Sequence, residues 1–188
     1  TIVIAASSAA FNIEIFAYYV LNSFSQACTT FVGQNYGAGQ IKRCKKILLL
    51  CILEDAIASA AVISLVLLSG RVLLSVFNSN PEVIEIGYTR LLIILSAYTF
   101  SMLYENMSGY LRGFGDSLIP AVLTVIGVCA VRITWIYTVF QTHRTFTSIM
   151  IAYPVSLFTT ALLIFIALMI YRPSRRYAAA NETGSGEI

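Results

Sequence analysis

Residues 106–120 read Asn-Met-Ser-Gly-Tyr-Leu-Arg-Gly-Phe-Gly-Asp-Ser-Leu-Ile-Pro and set a compact polar turn, Arg112-Gly113-Phe114-Gly115-Asp116, between two long apolar runs. Five such residues cannot lie in hydrocarbon, where unsatisfied backbone groups are costly, so the chain must reverse at a membrane surface here. The surrounding composition agrees. The chain is 58% hydrophobic and 11% charged, with mean hydropathy +0.81, whereas a soluble domain carries about 25% charged residues. A bilayer core needs about 20 mostly apolar residues per helix, and several segments supply them. The chain is therefore expected to be an all-α, polytopic membrane protein.

Five spans are predicted, at about 9–35, 44–68, 83–111, 118–140 and 147–171. Gly37-Ala38-Gly39 stops the first, since Gly is the usual residue just past a helix end. Asn78-Ser79-Asn80-Pro81-Glu82 caps and opens the third. Gly113 and Gly115 part the third from the fourth, and 141–145 is a short polar connector. These spans form a membrane domain over 1–172. Residues 173–188 turn to Ala, Asn, Gly, Ser and Glu and read as a disordered polar tail. The sequence starts at Thr1 inside an ordered pattern, without a charged leader and cleavage site, and reads as a fragment.

Basic residues orient the spans. Lys42, Arg43, Lys45, Lys46, Arg112, Arg172, Arg175 and Arg176 fall on one side of an alternating topology, and Arg71, Arg90 and Arg144 on the other. Eight against three is a positive-inside bias that makes the C-terminus cytoplasmic. The net charge of +3 is grouped by membrane side, not into a stripe, so no nucleic-acid partner is expected. Cys28, Cys44, Cys51 and Cys129 show no CxxC spacing, which argues against a zinc site or disulfide framework. No Ser/His/Asp set, Walker motif or Rossmann fingerprint is visible, so neither enzyme chemistry nor a cofactor is expected.

Taken in order, four motifs resemble the C-terminal half of multidrug and toxic compound extrusion (MATE) transporters, in a bacterial branch. Leu111-Arg112-Gly113-Phe114-Gly115-Asp116 with Pro120 resembles the turn after that family's tenth helix. Phe31-Val32-Gly33-Gln34-Asn35-Tyr36-Gly37-Ala38-Gly39 resembles the end of the eighth, and Asn80-Pro81-Glu82-Val83 the loop before the tenth. Cys129, Arg132 and Trp135, with Tyr153-Pro154 and Ser156, complete the likeness, which extends to about residue 172. The resemblance implies helices eight to twelve of a twelve-helix, two-lobed fold, with helices one to seven, the N-terminal lobe, as the partner. It implies multidrug antiport in a bacterial plasma membrane: export of cationic or amphipathic compounds in exchange for H+ or Na+, with no metal beyond a transient Na+. Two alternatives stand beside it, a lipid-linked saccharide flippase of the wider fold and a transport-inactive membrane fragment. The first predicts several basic residues lining the cavity, and Arg132 is the mid-span basic residue that the sequence shows.

Charged residues inside a span cost about 2.5–3.5 kcal/mol on insertion scales and so face protein or water. Glu105 lies two turns, roughly 10 Å, before Arg112 and is the first candidate for cation or proton coupling, with Ser101, Asn106 and Ser108 as neighbouring oxygens. Many members of the family carry the tenth-helix carboxylate one turn earlier, at the position of Ser101; others have it at that of Glu105. On the first span Asn12, Glu14, Tyr18, Asn22 and Gln26 share one side. Glu14 is expected near the outer rim, roughly 30 Å from the turn, as a second coupling candidate or a wet helix end. Asn12, Tyr18, Asn22, Gln26 and Ser101 are the expected cavity lining. Glu54 and Asp55 point about 100° apart and read as structural. Arg132 is expected in a structural ion pair with a carboxylate, His143 in an outer loop, and Trp135, Tyr137 and Phe140 in an interfacial belt. Gly37, Gly39, Arg112, Gly113, Gly115 and Asp116 are expected to serve turns or a hinge.

Overall fold

The computed structural model describes residues 2–142 and 144–174; His143, Arg175, Arg176 and most of the predicted tail lie outside them. Eight α-helices run through it: α1 (Ile2–Gly37), α2 (Ile41–Phe77), α3 (Pro81–Ser96), α4 (Tyr98–Gly113), α5 (Leu118–Val125), α6 (Val131–Tyr137), α7 (Val139–Thr142) and α8 (Phe146–Tyr171). A π-helical turn, Ile126–Ala130, joins α5 to α6. No strand occurs among the described residues. By length and composition α1, α2, the run Leu118–Thr142 and α8 can each cross a membrane, and α3 with α4, bent by 43°, passes the same test as a pair, which gives up to five spans. The chain is a multi-pass membrane protein.

The helices are longer than their apolar runs. α1 begins at Ile2, upstream of the expected Ala9, and α2 continues past Leu68 to Phe77. Capping sets other ends where the sequence puts them. The Asn80 side chain accepts from the Glu82 amide at 2.9 Å with Pro81 behind it, and Thr145 accepts from Ser148 at 3.2 Å. Gly39 (φ 71°) and Gly115 (φ 91°) take the left-handed turn positions, which cost Gly no Cβ clash.

Two apolar clusters hold the bundle. The larger packs Ala10, Leu21, Leu91, Leu95 and Ile164 between α1, α3 and α8. The smaller gathers Cys28, Val32, Ile41, Cys44, Tyr110 and Phe114 at the end where α1 meets α2 and α4 turns. Between them α4 presses on α1 through Gly109-x-x-x-Gly113. A Cβ added at Gly109 meets the Ser25 carbonyl oxygen at 2.5 Å, and one at Gly113 meets Val32 Cβ at 2.6 Å. Small residues at this spacing let backbones approach in membranes, where no hydrophobic force drives helices together. Gly109→Ala and Gly113→Ala should each cost about 1–3 kcal/mol by overpacking, whereas Gly37→Ala, with nothing within 4 Å of its Cβ, should be neutral. Thermal unfolding in detergent would distinguish them; equal melting temperatures would contradict the close approach.

The outward faces differ. On α2 the exposed stripe is mainly apolar, with Leu50, Leu53, Ile57, Leu65, Leu68, Val72 and Val76, broken by Glu54 and Arg71. On α1 the exposed stripe is Ser8, Asn12, Phe16, Tyr19, Ser23, Gln26 and Thr30, polar and aromatic by turns. One face suits lipid, and the other suits water or protein.

Candidate functional site

Among the described residues three buried carboxylates lie inside the bundle: Glu14, Asp55 and Glu105. Glu105 projects from α4 toward α1. Tyr18 donates its hydroxyl to Glu105 Oε1 at 3.0 Å. Ser25 donates to the Glu105 carbonyl at 2.7 Å and stands 3.5 Å from Oε2. Arg112, two turns further along the same face of α4, donates to Ser25 Oγ at 2.8 Å and keeps its Nη2 3.9 Å from Glu105 Oε2. The carboxylate is thus surrounded by hydroxyls, with its cation at the edge of contact. From Tyr18 a chain of side chains leads outward: Asn22 donates to the Tyr18 hydroxyl at 3.3 Å, and Gln26 to Asn22 Oδ1 at 3.4 Å. Gln26 is exposed, Asn22 and Tyr18 are half-buried, and Glu105 is buried. This graded path joins a buried charge to the open face of α1.

The neighbours expected from α4 itself do not serve Glu105. Asn106, fully buried, donates to Asp55 Oδ2 at 2.6 Å and to the Met102 carbonyl at 3.0 Å. Adjacent residues on a helix diverge by about 100°, so Asn106 must look toward α2 when Glu105 looks toward α1. Its Oδ1, like Ser108 Oγ, is buried without a hydrogen-bond partner among the described residues. The same geometry parts Glu54, which is exposed, from Asp55, which accepts from Ser59 at 2.7 Å. Asp55 ties α2 to α4 and is bundle-facing, one of the structural roles expected for it.

Glu14 is enclosed rather than at a wet helix end. Because α1 starts at Ile2, Glu14 is more than three turns inside it and only 6% exposed, so the wet-end reading does not hold. Arg90 of α3 donates to Glu14 Oε2 through Nε at 3.3 Å and Nη2 at 3.1 Å, and the Tyr98 hydroxyl donates to Oε1 at 3.3 Å. The side chains of Arg90 and Glu14 are 8% and 9% exposed. Arg90, counted by sequence with the outer boundary, is instead the buried partner; its place within the apolar run 83–100 was the available signal. Arg132 also departs from expectation. Among the described residues its ion pair is absent; Arg132 Nε donates to Ser156 Oγ at 2.9 Å, and its guanidinium lies 4.1 Å from the Tyr153 ring centroid. The Arg90 guanidinium approaches the same ring at 5.7 Å.

A cavity of ≈ 370 Å³ joins these groups. Glu14, Tyr18, Arg90, Tyr98, Ser101, Tyr104, Arg132 and Tyr153 line it. Tyr18 and Ser101 of the expected lining are among them, and Asn22 borders the path to Glu105. Asn12 is exposed and folds back to donate to the Ser8 carbonyl at 2.9 Å, so it and Gln26 stay on the open stripe outside the cavity. Tyr98, Tyr104 and Tyr153 were not singled out from sequence. Trp135 is half-buried and donates to the Ser148 carbonyl at 2.8 Å. The turn at 112–116 is closed by Gly115 N–H to the Arg112 carbonyl at 2.9 Å and Asp116 N–H to that of Leu111 at 3.1 Å, and Phe114 seals it against Tyr36 and Tyr110.

Comparison with known proteins gives a consistent result. The MatE family model matches residues 1–138. A probable multidrug resistance protein, NorM, of Thermotoga maritima is 27% identical over 122 residues, 65% of this chain and 26% of that protein. The probable multidrug resistance protein YoeA of Bacillus subtilis is 24% identical over 144 residues, 76% of this chain and 31% of that protein. The crystal structure of the eukaryotic MATE transporter AtDTX14 superposes with a TM-score of 0.80 at 18% identity, over 95% of this chain and 41% of that one. The chain therefore spans about a third or less of the length of these curated relatives.

Proposed function

Since the chain belongs to the MatE family, we propose that it forms the five-helix part of the second lobe of a cation-coupled efflux antiporter. The first, N-terminal lobe faces the open stripe of α1, and the C-terminus is cytoplasmic in a bacterial plasma membrane. Cationic or amphipathic organic compounds leave in exchange for H+ or Na+. The observation that carries this reading is the graded polar path from Gln26 through Asn22 and Tyr18 to Glu105. Lipid-facing stripes have no use for it, and a carboxylate set among hydroxyls, with its arginine only at 3.9 Å, can exchange that weak partner for a proton or a hard monovalent cation. Glu14, already held by two Arg90 nitrogens, acts in this reading as the support of the cavity wall.

One observation favours a second cargo. Arg90 and Arg132 both line the cavity, one more basic residue than the sequence revealed, as an anionic, pyrophosphate-bearing lipid-linked saccharide would require. Arg90 is neutralised by Glu14, however, and the relatives carrying multidrug names point to the first reading.

Vesicle transport tests the proposal. The longer gene product, reconstituted, should accumulate a fluorescent organic cation when a proton or sodium gradient is imposed. The 188-residue chain alone, lacking the opposing lobe, should give only background uptake. Robust gradient-driven uptake by the isolated chain would overturn the two-lobe reading, and gradient-independent movement of an anionic lipid by the longer product would favour the second.

A further inference from the structure

A second cavity of ≈ 370 Å³ lies at the opposite end of the bundle from Glu14, where α2 begins and α8 ends. Its chemistry is divided by depth. Lys45, one turn into α2, and Arg172, the residue that caps α8, stand at its mouth. About one turn deeper, roughly 5 Å, Leu48 and Leu49 face Leu168 and Met169 across an apolar slot. Among the described residues no acidic residue lines it and neither cation belongs to an ion pair. The slot is built, not frayed. Arg172 adopts a left-handed backbone (φ 40°) that folds Pro173 and Ser174 inward, where both are buried. The Ser174 hydroxyl is hydrogen-bonded to that of Tyr110 on α4, which closes the floor.

We propose that this groove binds one anionic phospholipid, its phosphate between Lys45 and Arg172 and an acyl chain along Leu48, Leu49, Leu168 and Met169. Two cations at the ends of membrane spans stand at headgroup depth, and basic pockets between helices select anionic headgroups. The apolar slot beneath them distinguishes a lipid from a free phosphate, which would gain nothing from four aliphatic side chains. Lys42, Arg43 and Lys46 on the same end of α2 add a positive field without lining the groove. The site lies away from the cavity that holds Glu14 and is independent of the transported compound.

The full chain in detergent, titrated with phosphatidylglycerol or phosphatidylcholine and read by native mass spectrometry, tests this. Phosphatidylglycerol should bind in preference and at a stoichiometry of one. Lys45→Gln with Arg172→Gln should weaken it about 25-fold, taking about fivefold per basic residue at an anionic surface, whereas Lys42→Gln with Arg43→Gln should change it less than about threefold. Leu49→Trp, at an exposed position, should displace the lipid with both cations intact, which keeps the test decisive if the double variant misfolds. Equal retention of the two lipids, equal losses from the two double variants, lipid binding undisturbed by Leu49→Trp, or displacement of lipid by inorganic phosphate would each overturn the assignment.

Discussion

In the two-lobed antiporter proposed above, Glu105→Gln should reduce gradient-driven export to the level of vector-only membranes while leaving expression and melting temperature close to those of the parent. Glutamine keeps the volume of the side chain and an oxygen that can accept from Tyr18, so the contact at 3.0 Å survives the change. What disappears is the negative charge, and with it the competition between a coupling ion and the Arg112 guanidinium at 3.9 Å. Tyr18→Phe removes one hydrogen bond to a charged group, worth about 1.5–3 kcal/mol, and should shift the ion concentration needed for half-maximal export without abolishing it. Glu54→Gln, on the exposed side of α2, is the matched control and should leave export unchanged. Sustained export by Glu105→Gln would remove Glu105 from the coupling step and leave the polar path on α1 without a function.

The largest stability effect is expected at Arg90. Arg90→Ala strands the Glu14 carboxylate, 6% exposed, with Tyr98 as its direct donor, and breaking one side of a buried pair costs about 3–5 kcal/mol. A double change, Arg90→Met with Glu14→Gln, removes both charges and should recover most of that loss, because the isolated carboxylate and not the missing contact is what destabilises. Chemical unfolding in mixed micelles measures both. If the double variant is as unstable as the single one, Arg90 acts through its stacking on Tyr153 at 5.7 Å and the charge pair is incidental. Because Arg90 lies on α3 and Glu14 on α1, the pair also fixes how the bent third span sits against the first.

The spans were legible because they rest on local chemistry. Apolar runs of bilayer length, the Asn80-Pro81-Glu82 start and the glycine turns at 37–39 and 113–115 each act within a few residues, and the structure repeats them. Partnerships were not legible in the same way. Glu105 finds Tyr18 and Ser25 on a helix far away in sequence, and Asn106, beside it, serves Asp55 on α2 instead. A periodicity argument gives the face on which a residue stands, but helix rotation decides which neighbour meets that face. Glu14 shows a further cause. Distance along the helix gives how far Glu14 stands from the turn, but not what packs around it; α1 continues seven residues beyond the predicted start, and Arg90 and Tyr98 from other helices enclose the carboxylate. Arg132 shows a third. The cost of an unpaired guanidinium was read correctly, but a hydroxyl and an aromatic face met it in place of a carboxylate.

The π-helical turn at Ile126–Ala130 gives the Leu118–Thr142 span one residue more than a regular helix of its rise would hold. Such a surplus turns everything after it by about 100°. Before the turn's end, Gly127 settles against Thr160 of α8, where a Cβ would come within 2.8 Å of the Thr160 Cα. After it, Arg132 reaches Ser156, one turn earlier on the same helix. A strictly regular span could satisfy one of these contacts but would rotate the other out of reach. The irregularity therefore lets a tight, side-chain-free seam and a long cationic side chain share a single flank of α8, and a one-residue deletion there would have to give up one of them.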